Sequence, residues 1–286
     1  MASVSSDLRT EETYAEFLNL EPSTLYDLLL QVEKILDKEP KLIELDPSRC
    51  LFIGDTHGEF GITKIALTKI HEYDKLIFLG DFIDRGPSQI QNVNVLLGLK
   101  VKYPDKIILI RGNHECQETN IRYGFYEAVI RRYGIKIFEE YNRIFSKLPL
   151  AILTWNKIFA VHGGIPEGLN NINEIIELAN EIDPINKITF QILWNDPVEK
   201  QNWFSKNLRG GDSKKFGSLA AKYFMEKFGI KLIVRAHERH ESDHKCFFGD
   251  MLVSLYSMCN YEKKKEISGL SLERDGTWKI ISLYGD

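Results

Sequence analysis

The chain is poor in cysteine. Cys50, Cys116, Cys246 and Cys259 are the only four in 286 residues, and no two form a CxxC pair, which excludes a disulfide scaffold and a thiolate metal cluster. All four are expected as thiols in a reducing compartment. No Pro/Gly/Ser-rich tract or internal repeat divides the sequence, so a single unit over 1–286 is expected, with about 1–20 as a loosely held N-terminal tail. Long apolar runs are missing too. None approaches the roughly 18 residues of a membrane span, and MASVSSDLRTEETYAEF has no apolar core of a secretory signal. A cytoplasmic protein without a membrane partner is therefore expected. Nor is positive charge in excess: 37 Lys and Arg face 41 Asp and Glu, a net charge of -4, which argues against nucleic acid as an obligatory partner. What the chain does carry is core material. At 43% hydrophobic and 11% aromatic residues, disorder is excluded for most of its length.

Periodicity then sets the fold class. STLYDLLLQVEKILDK places Leu25, Leu28, Leu29, Val32, Ile35 and Leu36 at helical spacing, with Ser23 or Thr24 as the N-cap and Pro40 beyond the end. Short apolar runs follow, each breaking off in polar residues: CLFI before Gly54, KLIFL before Gly80, KIILI before Arg111, KIFAV before His162 and KLIV before Arg235. These predict buried strands. Helix-like stretches lie between them, GITKIALTKIHEY, SQIQNVNVLLGLKVKY and YGFYEAVIRRYGIKIFEEYNRIFSKL, so the class is α/β. Toward the end MLVSLYSM predicts a strand, and SGLSLERDGTWKIISLY a hairpin turning at Asp275-Gly276.

The chemistry is concentrated where the apolar runs stop. In order come Gly54-Asp55-Thr56-His57-Gly58, Gly80-Asp81-Phe82-Ile83-Asp84-Arg85-Gly86, Arg111-Gly112-Asn113-His114-Glu115, His162-Gly163-Gly164 and Arg235-Ala236-His237-Glu238. Strand C-terminal ends are where open α/β sheets place their sites. Oxygen and imidazole donors without thiolate suit manganese, iron or zinc better than calcium. Asp55, His57 and Asp81 can hold one divalent ion and Asn113, His162 and His237 a second, with Asp81 bridging. Two ions roughly 3.5–4 Å apart can activate a shared water for in-line attack on phosphorus. Arg85, Arg111 and Arg209 would bind the phosphoryl oxygens, together with Asn113. His114 is left over from metal duty. Held by Asp84, it could protonate a leaving alkoxide as general acid.

These residues resemble the phosphoprotein phosphatases, serine/threonine-specific metallophosphatases whose signatures are GDxHG, GDxxDRG and GNHE. The resemblance runs over nearly the whole chain and includes Leu193-Trp194-Asn195-Asp196-Pro197, Tyr123-Gly124-Phe125-Tyr126, Arg209-Gly210 ahead of Phe216-Gly217, and Asn260-Tyr261. It implies a central β-sandwich flanked by helices, of calcineurin-like type, with a dinuclear centre. It also implies phosphoproteins as substrates, Arg209 as a phosphate ligand and Tyr261 on a loop overhanging the site.

Departures bear on specificity. GDTHGEF, RAHE and Ser257-Met258-Cys259-Asn260-Tyr261-Glu262 replace the family's usual forms, and Glu59, Glu238 and Glu262 are expected to add negative charge near the cleft, against very acidic phosphopeptides. The C-terminus lacks the tail by which some relatives recruit subunits, so no such recruitment is expected. Trp203 is either a groove wall or ordinary core. His240 and His244 have metal-like spacing but are expected on a solvated loop, as is Lys263-Lys264-Lys265. The competing functions are hydrolysis of a small phosphoanhydride such as diadenosine tetraphosphate, and an inactive phosphoprotein-binding scaffold.

Overall fold

The computed structural model describes residues 11–257 and 267–284. Two sheets stack face to face. One is built from β1 (Leu42–Leu45), β5 (Ala151–Thr154), β6 (Ile158–Val161), β10 (Leu232–Arg235), β12 (Leu252–Leu255) and β11 (His244–Phe247), in that spatial order. The other runs β14 (Trp278–Ser282), β13 (Ser268–Leu272), β2 (Cys50–Ile53), β3 (Lys75–Phe78) and β4 (Ile107–Leu109). Residues such as Phe52, Ile77 and Leu270 from the second sheet meet Ile152, Val234 and Val253 from the first in a dry inner layer. The opposite faces are covered as well. Leu51, Ile53, Leu76 and Phe78 pack under helices, which is why the predicted strands read as unbroken apolar runs instead of alternating ones.

The helices over the second sheet are α1 (Pro22–Leu36), α2 (Phe60–Leu67), α3 (Gln89–Lys102), α5 (Phe125–Tyr133) and α6 (Ile135–Lys147), with the short α4 (Gln117–Asn120) beside the site. Helices α7 (Lys187–Trp194) and α8 (Ser218–Phe228) lie on the first sheet together with a small third sheet, β7 (Asp196–Pro197), β9 (Lys214–Phe216) and β8 (Phe204–Lys206). Helix α1 buries Leu25, Leu28, Leu29, Val32 and Leu36, five of the six residues of the expected face, with Ile35 half-buried at its edge. It starts earlier than expected, with Glu21 at the N-cap and Pro22 in the first turn, where the missing N–H of proline costs nothing. The long predicted helix from Tyr123 onward is two helices, because Gly134 at φ 82° turns the chain between α5 and α6. Strands β1, β5 and β11 and the third sheet were not expected; they are two to four residues long, and β11 opens at His244, which was expected on a solvated loop.

The N-terminal expectation needs correction. Within about 1–20, residues 11–20 are docked: Tyr14 and Leu20 are buried, and the ring of Phe17 lies against Gly98 of α3, where any Cβ would overlap it. Lys102 Nζ adds an ion pair to Glu16 at 2.9 Å. Among the described residues no helix is long and apolar enough to cross a membrane.

Candidate metal centre

Five strand ends converge on one spot, β2, β3 and β4 from one sheet and β6 and β10 from the other. His57 Nδ1 donates to the Ile83 carbonyl at 3.0 Å and His162 Nδ1 to the Leu79 carbonyl at 2.8 Å. A carbonyl only accepts, so each Nδ1 holds the proton and each Nε2 turns a lone pair inward. His162 Nε2 stands 3.0 Å from Asn113 Oδ1, 3.1 Å from His237 Nδ1 and 3.4 Å from Asp81 Oδ1. His57 Nε2 faces Asp81 Oδ2 at 3.4 Å and Asp55 Oδ2 at 3.9 Å. Lone pairs at these spacings repel unless cations lie among them.

Burial sharpens that demand. Asp55, His57, Asp81, Asn113, His162 and His237 are all buried, and Asp55 Oδ2 and His237 Nε2 have no hydrogen-bond partner among the described residues. Desolvation pushes Asp55 up to about 7 and Asp81 well above the carboxylate range, the latter helped by the charges of Asp55 and Glu115. Desolvation likewise holds His57, His162 and His237 well below the usual imidazole value. A centre that favours neutral imidazoles and destabilises its own carboxylates is suited to divalent cations, which reverse the carboxylate penalty. The donor set therefore fits two ions: Asp55, His57 and Asp81 would hold one, Asp81, Asn113, His162 and His237 the other.

His114 also falls within reach of His57 and Asp81 as a third potential donor. Its surroundings assign it differently. Nδ1 lies 2.6 Å from Asp84 Oδ2, while Nε2 is 4.0 Å from Asp81 Oδ2 and covered by Arg85 Nη2 at 3.2 Å. Asp84 Oδ1 accepts from the Phe125 N–H at 2.9 Å, which fixes the carboxylate, and burial raises Asp84 to about 7. Burial, then Arg85 and Arg209, keep His114 well below its usual value.

The arginines divide. Arg85 is exposed at the edge of the centre, its guanidinium 3.2 Å from His114 Nε2 and 5.7 Å over the ring of Tyr123. Arg209 is held at the rim by Asp196, Nε to Oδ2 at 2.5 Å. Arg111 is a correction to the expected phosphate set: it donates to the Glu115 carbonyl at 3.1 Å and to those of Glu181 and Ile182 at 2.6 Å each, so it is a fully buried loop brace. Arg235, given no role from sequence, braces likewise, binding the Gly163 carbonyl at 2.5 Å, Asp196 at 3.2 Å and Glu238 at 2.9 Å. That last pair offsets the charge expected of Glu238. Tyr261 and Glu262, like Cys259, Asn260 and Lys263–Lys265, lie outside the described residues.

Beside the centre opens a cleft of about 520 Å³, walled by Arg122, Tyr123, Ile185, Phe190, Trp194 and Arg209 among others. Tyr123 joins it to His114, ring to ring at 5.1 Å, and Trp194 joins it to His237 at 5.8 Å. Trp203 does not line it and is not core either: about half exposed, it packs against Phe204 and Tyr223. His240 bonds Ser254 Oγ at 2.8 Å and His244 bonds Asp243 at 2.9 Å, and among the described residues neither joins a potential metal group. Cys50, Cys116 and Cys246 are free thiols, burial pushing the first two up to about 12. Sequence reasoning missed Asp196 and Glu115 as partners. Their acidic character in Asn195-Asp196-Pro197 and Asn113-His114-Glu115 was visible, but which donors they meet was not.

Paired sheets under helices, with two donor sets sharing one aspartate at the strand ends, define a binuclear phosphoesterase scaffold. Residues 48–240 match the model of the calcineurin-like phosphoesterases, and the chain belongs to that family. Its fold is similar to that of a protein serine/threonine phosphatase from Saccharomyces cerevisiae, described as similar to human phosphatase PP5, with a TM-score of 0.82 at 23% identity over 93% of this chain and 91% of that one. A cold-active protein-tyrosine phosphatase of a psychrophilic Shewanella matches with a TM-score of 0.57 at 16% identity, covering 86% and 84%. A candidate diadenosine tetraphosphatase matches with a TM-score of 0.50 at 14% identity, covering 87% and 100%.

Proposed function

We propose that the protein is a phosphoprotein phosphatase that hydrolyses phosphoserine and phosphothreonine on cytoplasmic proteins, with manganese as its preferred ion and iron or zinc as alternatives. The observation that carries this is the Asp84–His114–Arg85 chain at the metal centre, with the Tyr123 ring linking His114 to the cleft. An alkoxide leaves poorly without a proton, and His114, whose Nε2 lies between Arg85 and the Asp81 carboxylate, is the group at the centre placed to supply one. Bound divalent ions would supply a nucleophile at neutral pH and positive charge for the phosphoryl oxygens.

The chain's own residues do the rest. Arg85 and Arg209 receive the phosphoryl group, and the dianion offsets their charge on His114, so the imidazolium forms when substrate is in place. Asp84 holds the ring and stabilises that charge. Tyr123, Phe190, Trp194 and Ile185 offer an amphipathic wall for residues flanking the phosphorylated one. Hydrolysis of dinucleoside tetraphosphate is the second possibility, favoured by the candidate diadenosine tetraphosphatase among the structural neighbours. Turnover of phosphoserine, phosphothreonine and phosphotyrosine peptides and of diadenosine tetraphosphate, each with chelator and with manganese restored, decides. Turnover of the phosphoserine and phosphothreonine peptides at least tenfold above the other two supports the proposal. A tetraphosphate preference overturns it.

A further inference from the structure

Asp81, the shared carboxylate, stands at φ 54°, a left-handed backbone that costs an L-residue about 1–2 kcal/mol. Its carbonyl accepts from the N–H groups of Thr56 and His57 at 3.2 and 2.8 Å, and its Oδ1 from the His114 N–H at 2.9 Å. The remaining backbone group, the Asp81 N–H, goes to a side chain. Glu115 Oε2 accepts it at 2.8 Å together with the Gly112 N–H at 2.9 Å, while Oε1 accepts the Phe82 N–H at 2.8 Å. Glu115 is fully buried, and no Lys, Arg or His is within ion-pair distance of it among the described residues. Its three partners are all backbone dipoles, two on the loop after β3 and one on the loop after β4.

We propose that Glu115 is a positioning residue: its carboxylate clasps the loop of Asp81 to the loop of Asn113 and His114, and so sets the distance between the bridging ligand, a ligand of the second ion and the proton donor. Gly112 belongs to the same device. A Cβ there would overlap Asp81 Oδ1 and stand 2.7 Å from Glu115 Oε2, so the loops close only over a bare backbone. Charge-assisted bonds from N–H groups are stronger than neutral ones and directional, which suits a clasp that must hold a strained backbone. The clasp also gathers a third buried anion beside Asp55 and Asp81, an arrangement that is favourable when cations fill the centre. Metal binding and the closed loops thus support one another.

The inference rests on the metal centre and not on the substrate class, so metal binding without substrate tests it. Glu115→Gln keeps the shape, but its amide nitrogen must face either the Phe82 N–H or the pair from Asp81 and Gly112. Glu115→Asp keeps the charge and falls a methylene short. Calorimetric titration of metal-stripped protein with Mn²⁺ should show affinity reduced 10–100-fold in both variants. At saturating Mn²⁺, kcat on p-nitrophenyl phosphate should fall while KM stays within about threefold, since Arg85 is untouched. If either variant does not fold without metal, the Mn²⁺ concentration needed to restore the wild-type melting temperature reads the same affinity. Lower thermal stability with Mn²⁺ affinity within twofold of wild type overturns the proposal and leaves Glu115 as ordinary scaffold. Tight metal binding without phosphopeptide turnover would instead sink the substrate class and leave the clasp standing.

Discussion

At the scale of single residues, the leaving group separates the proton donor from everything else. His114→Asn should lower kcat on phosphoserine peptides by roughly 10²- to 10⁴-fold and much less on p-nitrophenyl phosphate, whose phenolate needs no acid. Asp84→Asn should reproduce the contrast more weakly, because it holds the His114 ring without touching substrate. Equal losses on both substrates would assign His114 to orienting the phosphate. The arginines, alike in the sequence, should part company. Arg85→Ala should raise KM at unchanged melting temperature, whereas Arg111→Met takes the donor from one buried and two part-buried carbonyls and should lower stability by about 1–3 kcal/mol with KM unchanged in the folded fraction. Thermal melts beside steady-state kinetics distinguish the two. An Arg111 variant that keeps its stability and loses phosphate affinity would return it to the phosphate set.

Among the elements, the docking of residues 11–20 on α3 turns on one glycine. Ala is usually the better helix former by about 1 kcal/mol, so Gly98→Ala in an ordinary helix would stabilise. Here the methyl meets the Phe17 ring, and the single variant should be less stable and more open to proteolysis near residues 11–20. Combined with Phe17→Ala, the same change should turn stabilising, and a double-mutant cycle measures the coupling. Additivity would show that the ring moves aside at no cost. Helix α1 was legible because five apolar residues at helical spacing need a single partner surface. The docked segment was not, because Tyr14, Phe17 and Leu20, although three residues apart, are too few to announce a buried face.

For the molecule as a whole, stability should depend on pH through Lys41. Its amine is buried beneath the end of α6, donating to the Ser146 and Leu148 carbonyls at 2.7 and 3.1 Å, and desolvation lowers its pKa to about 7. The unfolded chain keeps the ordinary value of 10.5, so between pH 7 and 10 it binds a proton that the folded protein does not. Stability contributed at this site therefore rises with pH over that window, by up to about 1.4 kcal/mol per pH unit, and is flat below it. Denaturant titrations of wild type and Lys41→Met at pH 7 and 9 should show the difference moving in favour of wild type at the higher pH. A constant difference would mean that water reaches the amine.

Local pattern was enough to place the strand ends and the polar residues that follow them. Asp55, His57, Asp81, Asn113, His114, His162 and His237 each follow an apolar run, and a buried parallel strand must deliver its next polar residues to the sheet's edge. Tertiary structure decided what distance alone can decide. Asp196 lies thirteen positions before Arg209 and Asp81 thirty-four before Glu115, yet both pairs touch. Arg111 stands two residues from a ligand and points away into the loop at 181–182. Side chains of equal charge acquire different roles because the backbone turn at each strand end, left-handed at His57, Asp81, Asp84, Arg85 and His237, sets where each one points. Local pattern does not encode that direction; it comes from the packing of two sheets whose strands lie far apart in the chain.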